Sequence, residues 1–209
     1  MLLEWYFDFV SPFAYLQFAR LGERPRNVRL QLRPVLLAVL LQHWGQLGPA
    51  EIAPKRRFTY AQVCWLAERA GLPFRMPSGH PFNSLPLLRL ALALGPTEAV
   101  VARLFRFVWA EGHIPQQAPA WTALLAELGC GEPAADSVKQ QLRSATDAAI
   151  AAGVFGVPTS IAAGQLFWGY DTTDMLLEFC GDPASFRARA QGWALDVPVA
   201  AARRESKAG

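Results

Sequence analysis

The hydrophobic period of this chain changes twice, and those changes restrict the available folds more than any other feature. Leu2 to Phe9 is a strand-type apolar run, and Val28-Arg29-Leu30-Gln31-Leu32-Arg33 alternates apolar and polar residues up to Pro34. Between them, Phe13, Leu16, Ala19 and Leu21 fall at helical spacing and predict a helix from Ser11 to Gly22. From Leu36 to Gly153 the period is helical. Segments 58–70, 84–94, 97–111, 118–128 and 137–152 stop at Gly71, Gly95, Gly112, Gly129 and Gly153, the residue type that ends helices. Ser137 is read as the cap of the last of these, and His43 to Pro54 as a loop. Strand character returns at Thr159-Ser160-Ile161-Ala162 and Gln165-Leu166-Phe167-Trp168, joined by Ala163-Gly164, with a helix capped by Asp171 or Thr172 running on to Cys180. The order is β-α-β, a long helical stretch, then β-β-α. It predicts an α/β protein in which 1–35 and 154–198 build a sheet-bearing domain, 36–153 an all-helical insertion domain, and 199–209 a disordered tail.

A chain of 209 residues with 52% hydrophobic and 18% charged residues can fill such a core. No apolar stretch reaches the ~18 residues that span a bilayer. The start carries Glu4 and Asp8 rather than a basic leader, so a cytoplasmic protein without a membrane segment is expected. A net charge of +3, with basic residues clustered only at Lys55-Arg56-Arg57 and Arg203-Arg204, is no nucleic-acid footprint but suits a small anionic ligand. Cys64, Cys130 and Cys180 form no CxxC pair and no metal-ligand spacing. They read as reduced, partly buried thiols, and no metal is expected.

Two prolines mark the places where chemistry can occur. Ser11-Pro12 follows the first strand, with serine as a helix cap and proline at the first helical position. Unsatisfied amides and the positive end of a helix dipole converge there and favour an anion. Val157-Pro158 follows a glycine-containing loop and precedes a strand, the setting of a cis peptide. A capped helix start combined with such a proline resembles the thioredoxin superfamily. Within it, SPFAY from Ser11, the stretch Lys55-Arg56-Arg57-Phe58, Asn83-Ser84, GVFGVPT from Gly153 and Phe167-Trp168-Gly169-Tyr170-Asp171 resemble 2-hydroxychromene-2-carboxylate isomerases. These are relatives of DsbA and of kappa-class glutathione transferases. The resemblance covers about Leu3 to Trp193 and implies a thioredoxin-like domain interrupted by the helical insertion.

It also implies glutathione as cofactor and a small aromatic carboxylate as substrate. Ser11 then stabilises the thiolate, where redox relatives carry Cys-x-x-Cys. The four positions here are Ser11-Pro12-Phe13-Ala14, so dithiol exchange is excluded at this helix start. Val157 and Pro158 would present backbone to the tripeptide, and Trp168, Gly169, Tyr170 and Asp171 would hold its γ-glutamyl end. The family commonly has arginine after this aspartate. Here Thr172 and Thr173 follow, so their hydroxyls and the helix-start amides are expected to take its place. Lys55, Arg57 and Asn83 stand at substrate-binding positions, with Phe13, Trp44 and Phe82 as apolar lining, while Gln62 and His113 depart from the family's aspartates. A kappa-like transferase or peroxidase, and a non-catalytic thiol- or peptide-binding protein on the same fold, are the alternatives. Either is compatible with a homodimer.

Overall fold

The computed structural model describes residues 1–193 together with Leu195, Val197, Pro198 and Ala200. The remainder of the 199–209 tail lies outside the described residues. Strand β1 (Leu2–Phe7) runs parallel to β2 (Arg29–Pro34) and antiparallel to β3 (Thr159–Ala162), which pairs antiparallel with β4 (Gln165–Trp168). The sheet order is β2-β1-β3-β4. The parallel pair needs a crossover, supplied by α1 (Pro12–Arg20). The β3–β4 hairpin turns on Ala163 and Gly164, both at positive φ.

Between β2 and β3 lie α2 (Leu37–His43), α3 (Ala53–Arg69), α4 (Leu85–Leu94), α5 (Glu98–Phe105), α6 (Ala118–Glu127) and α7 (Asp136–Ala151). Helix α5 runs on into a wider π-helical turn at Arg106–Ala110. After β4 come a 3₁₀ turn at Tyr170–Thr172, α8 (Thr173–Gly181) and α9 (Pro183–Ala190).

Four boundaries differ from the sequence reading. Helix α3 begins five residues before Phe58, because Pro54 occupies the first turn, where its missing N–H is no loss. The apolar period starts late only because that first turn is exposed. Ser137 lies inside α7, whose N-cap is Ala135 and whose first turn carries Asp136. Thr172 is the N-cap of α8 but makes no side-chain capping bond, and Asp171 belongs to the 3₁₀ turn. Helix α9 was not anticipated, although Asp182-Pro183 is a good start signal: the Asp182 carboxylate accepts the Ser185 N–H at 3.0 Å. The cysteines are free as expected, but Cys64 is exposed, Cys130 intermediate and Cys180 buried.

Helices cover both faces of the sheet. Leu3, Trp5 and Phe7 alternate on one face of β1 and are fully buried among residues of α1, α5 and α8. On the other face Tyr6 packs with Val35, Leu40 of α2 and Ala149 of α7. Phe105 of α5 joins the inserted helices to the sheet. Its ring centroid lies 4.8 Å from Phe9, 5.6 Å from Phe18, 5.7 Å from Phe7 and 6.1 Å from Trp5. Among the described residues no helix is long and apolar enough to cross a membrane.

Candidate functional site at the start of the first helix

Ser11 is the N-cap of α1, with extended backbone at φ −87° and ψ 114°, and is 6% exposed. Its Oγ accepts the Ala14 N–H at 3.2 Å, which leaves the hydroxyl proton to donate elsewhere. Pro12 occupies the first turn, as predicted.

The short link from β1 to Ser11 is held rigidly. The peptide unit joining Phe9 to Val10 is bound at both ends: the Trp109 indole N–H donates to the Phe9 carbonyl at 2.9 Å, and the Val10 N–H donates to Asp8 Oδ1 at 3.1 Å. The next unit, joining Val10 to Ser11, is held the same way. His80 Nε2 lies 2.8 Å from the Val10 carbonyl, and the Ser11 N–H donates to the Asp8 carbonyl at 3.1 Å. The π-helical turn after α5 carries Trp109, a use of such turns that recurs at functional sites.

Asp8 is almost fully buried, with its Oδ2 accepting the Leu37 N–H at 2.9 Å and the Ser84 hydroxyl as a further partner. Burial pushes this carboxyl above its usual range, and the Leu37, Ser84 and Val10 hydrogen bonds pull against that. The sequence marks none of Asp8, His80 and Trp109 as part of a site. Asp8 reads as an acidic residue near the start and Trp109 as one of a helical run. His80 reads as a loop histidine without a partner at catalytic spacing, whereas the structure gives it Tyr60 and Val10.

The second half of the site lies at the same end of the sheet. Thr159 pairs with Tyr6 of β1 and with Trp168 of β4, so Pro158 and Trp168 flank the strand end that leads into Ser11. The Val157–Pro158 peptide is cis, as anticipated, and so is His80–Pro81, which was not. The Pro158 carbonyl accepts the Gly169 N–H at 2.9 Å.

Gln17 of α1, fully buried, fastens this segment to the helix. Its amide donates to the Gly169 carbonyl at 2.9 Å and to the Thr173 hydroxyl at 3.1 Å, while its Oε1 accepts the Trp5 indole N–H at 2.7 Å. Trp168 is half exposed and rests on Phe155 and Gly156, where a Cβ would stand 2.7 Å from its indole nitrogen. Gly169 has φ +94°, and a side chain there would collide with the Asp171 carboxylate. Asp171 itself is exposed.

One expectation is corrected. The Thr172 hydroxyl donates to the Gly169 carbonyl at 3.0 Å, and the Thr173 hydroxyl donates to the Tyr170 carbonyl from a fully buried position. Neither proton is left to bind a carboxylate, so the threonines cannot stand in for the family's arginine.

Lys55 and Arg57 lie exposed in the first turns of α3. The Tyr60 hydroxyl lies 2.8 Å from His80 Nδ1, which brings this helix to the Ser11 link. At ~100° per residue, Arg56 and Arg57 project within about 60° of the Tyr60 direction and Lys55 points away from it. Arg56 is also the charge that His80 and Tyr60 feel. Asn83 is exposed, its amide oxygen accepting the Leu85 N–H at 3.1 Å and its carbonyl the Gln116 amide at 3.0 Å.

Phe13 and Phe82 are half-buried against the main core, whereas Trp44 is 43% exposed and donates to the Val154 carbonyl at 3.0 Å. Two surface depressions, of about 290 and 380 Å³, lie against β2 and between α1 and α5. Neither is lined by Phe13, Trp44, Phe82 or Ser11. Among the described residues no group of side chains could hold a metal ion.

Comparison with known proteins gives a concordant picture. A family model described as a DSBA-like thioredoxin domain matches residues 2–180. A 2-hydroxychromene-2-carboxylate isomerase from Pseudomonas putida is 29% identical over 188 residues, which cover 84% of this chain and 92% of that protein. Glutathione S-transferase kappa 1 from Rattus norvegicus is 24% identical over 206 residues, covering 87% of this chain and 91% of the transferase. A solved structure of 2-hydroxychromene-2-carboxylate isomerase superposes with a TM-score of 0.73 at 25% identity, over 91% of this chain and 97% of the other.

Proposed function

Because the chain belongs to the DsbA-like thioredoxin-domain family, we propose that it is a glutathione-dependent isomerase acting in the cytoplasm. Its substrates would be cyclic hemiketals of the 2-hydroxychromene-2-carboxylate type, and its products trans ring-opened aryl pyruvates formed during breakdown of aromatic compounds. The observation that carries this reading is the build of the Ser11 helix start: a buried hydroxyl with a proton to donate, on a link held at both peptide units, where dithiol relatives place sulfur. The identity to named isomerases over most of the chain supports the reaction class.

The residues present fit glutathione. Ser11 and the Phe13 N–H suit a thiolate, Pro12 having no N–H and the Ala14 and Tyr15 amides donating back to Ser11. The backbone of half-buried Val157, ahead of the cis bond to Pro158, suits the peptide portion, and exposed Asp171, three positions after Trp168, suits the γ-glutamyl ammonium. Bound there, glutathione would supply a nucleophilic thiolate able to add reversibly to a conjugated double bond, which is the chemistry a cis–trans isomerisation needs.

The chain's own part is to orient and to stabilise. Ser11 donates its hydroxyl proton toward the anion, lowering the thiol pKa; each unit corresponds to ~1.4 kcal/mol. Arg57, on the Tyr60 side of α3, would with Asn83 draw the substrate carboxylate and carbonyl toward the same end of the molecule, whereas Lys55, which points away from Tyr60, takes no part in this. The γ-glutamyl carboxylate would fall to the Tyr170 and Asp171 N–H groups, since those of Thr172 and Thr173 already donate to the Gly169 and Tyr170 carbonyls.

Stoichiometry tests the proposal against a conjugating transferase. Purified protein with catalytic glutathione should convert a hemiketal substrate to the trans product while free thiol stays constant. Loss of one thiol per product would assign it to transferase chemistry instead.

A further inference from the structure

We propose that His80, fixed by Tyr60, is a positioning residue for Ser11, and that through it α3 sets the geometry of the thiolate site. The proposal deepens the reading above and rests on it. It starts from one carbonyl. The Val10 oxygen can only accept, so the 2.8 Å contact from His80 Nε2 requires a proton on Nε2. In the neutral ring Nδ1 must then accept, and the Tyr60 hydroxyl stands 2.8 Å from Nδ1 and 2.9 Å from the His80 carbonyl, its one proton shared between these two acceptors. The Val10 carbonyl thereby selects the tautomer, and Tyr60 pins both the ring and the backbone of His80 in place to meet it.

The surroundings favour that neutral ring. His80 packs edge-on against Trp109 at 5.5 Å and beside Phe82 at 6.3 Å. Burial pushes its pKa below the ordinary imidazole value, against the raising effect of the Val10 bond, and the Arg56 charge adds to the lowering.

The consequence for Ser11 follows from amide planarity. The Val10 carbonyl and the Ser11 N–H belong to one rigid unit, so holding both ends fixes the plane from which the Ser11 Cα departs, and the Ala14 N–H then holds Oγ. The carbonyl bond also polarises that unit and strengthens its N–H as a donor. Tyr60 sits one turn beyond Arg56 and Arg57 on α3. A ligand that shifts the start of α3 therefore shifts the ring that orients Ser11.

Three variants test this. His80→Phe keeps the ring packing and removes both nitrogens, Tyr60→Phe removes the hydroxyl that pins the His80 ring and carbonyl, and His80→Gln restores a donor near the Nε2 position. The first readout is the ultraviolet absorbance of bound glutathione thiolate against pH. His80→Phe should lower the thiolate fraction near neutrality roughly three- to tenfold, and Tyr60→Phe about twofold, with His80→Gln within about twofold of wild type.

The second readout, hydrogen exchange of the amides at positions 8–15 in the free protein, needs no glutathione. It should quicken roughly tenfold in His80→Phe and recover in His80→Gln. A wild-type protein that does not shift the glutathione thiol sinks the isomerase reading, and exchange alone then decides the role of His80. Unchanged exchange in His80→Phe, or no recovery in His80→Gln, overturns the positioning role. If His80→Phe fails to fold, the same two readouts on Tyr60→Phe and His80→Gln decide it.

Discussion

Replacing Gln17 with leucine should destabilise the protein by about 2–4 kcal/mol, and the structure shows where the loss arises. Leucine roughly fills the space but offers no acceptor to the fully buried Trp5 indole, whose N–H bond to Gln17 is 2.7 Å long. An orphaned buried donor costs ~1–3 kcal/mol. The other two partners lose less. The Gly169 carbonyl keeps the Thr172 hydroxyl and Thr173 keeps the Tyr170 carbonyl, so each adds only about 0.5 kcal/mol. For a chain of this length the sum lowers Tm by roughly 5–15 °C.

The assay is a double-mutant cycle with Trp5→Phe, followed by urea denaturation. With the indole N–H removed, Gln17→Leu should cost about 1–2 kcal/mol less than it does alone. Additivity within about 0.5 kcal/mol would refute the assignment of the cost to that hydrogen bond.

Other outcomes follow from the same structure. Burial holds His80 below the ordinary imidazole pKa of 6.5, so the folded protein binds fewer protons than the unfolded chain just below that value. Stability should therefore fall as pH drops from 6.5 toward the folded pKa, and His80→Gln should flatten this slope; an unchanged slope in urea midpoints across pH would contradict it. Asp8, shifted upward, contributes an opposite trend, stability falling as pH rises through its window, but it is common to both proteins and cancels in their difference. Gly156→Ala puts a Cβ 2.7 Å from the Trp168 indole nitrogen and should weaken glutathione binding about fivefold, near 1 kcal/mol, by calorimetry. Gly181→Ala meets nothing and should leave binding unchanged, so equal effects of the two would remove Trp168 from the site. No insulin reduction above background is expected, since the helix start carries no thiol; measurable reduction would contradict this.

The parts of this fold that were legible in the sequence are those governed by period and punctuation. The β3–β4 hairpin shows at both ends because Ala163-Gly164 interrupts two short alternating runs. The cap at Ser11 and the cis bond at Pro158 show because serine and proline carry local conformational rules.

What escaped depends on contacts distant in the chain. Gln17 lies on the buried face of α1, and nothing local marks it as the amide that reaches Gly169, 152 positions away. Trp109 and Phe9 are 100 positions apart, and only the extra width of the π-helical turn aims the indole at that carbonyl. The start of α3 was hidden for the opposite reason: with both faces of its first turn exposed, it has no hydrophobic period to read. Thr172 and Thr173 were given a binding role by residue type, and the nearby Gly169 and Tyr170 carbonyls remove it.

The central claim is that Ser11 stabilises a glutathione thiolate, and the thiol titration of the bound tripeptide tests it most directly. Wild-type protein should hold that pKa one to two units below the ordinary thiol value of about 8.5. Ser11→Ala should raise it again by about one unit and slow isomerisation roughly ten- to a thousand-fold, equivalent to ~1.4–4 kcal/mol. Glutathione affinity should change less, because on the proposed reading Val157 and Asp171 would still hold the peptide portion. Identical titration and rate curves for the two proteins would leave Ser11 as a helix cap and contradict the account.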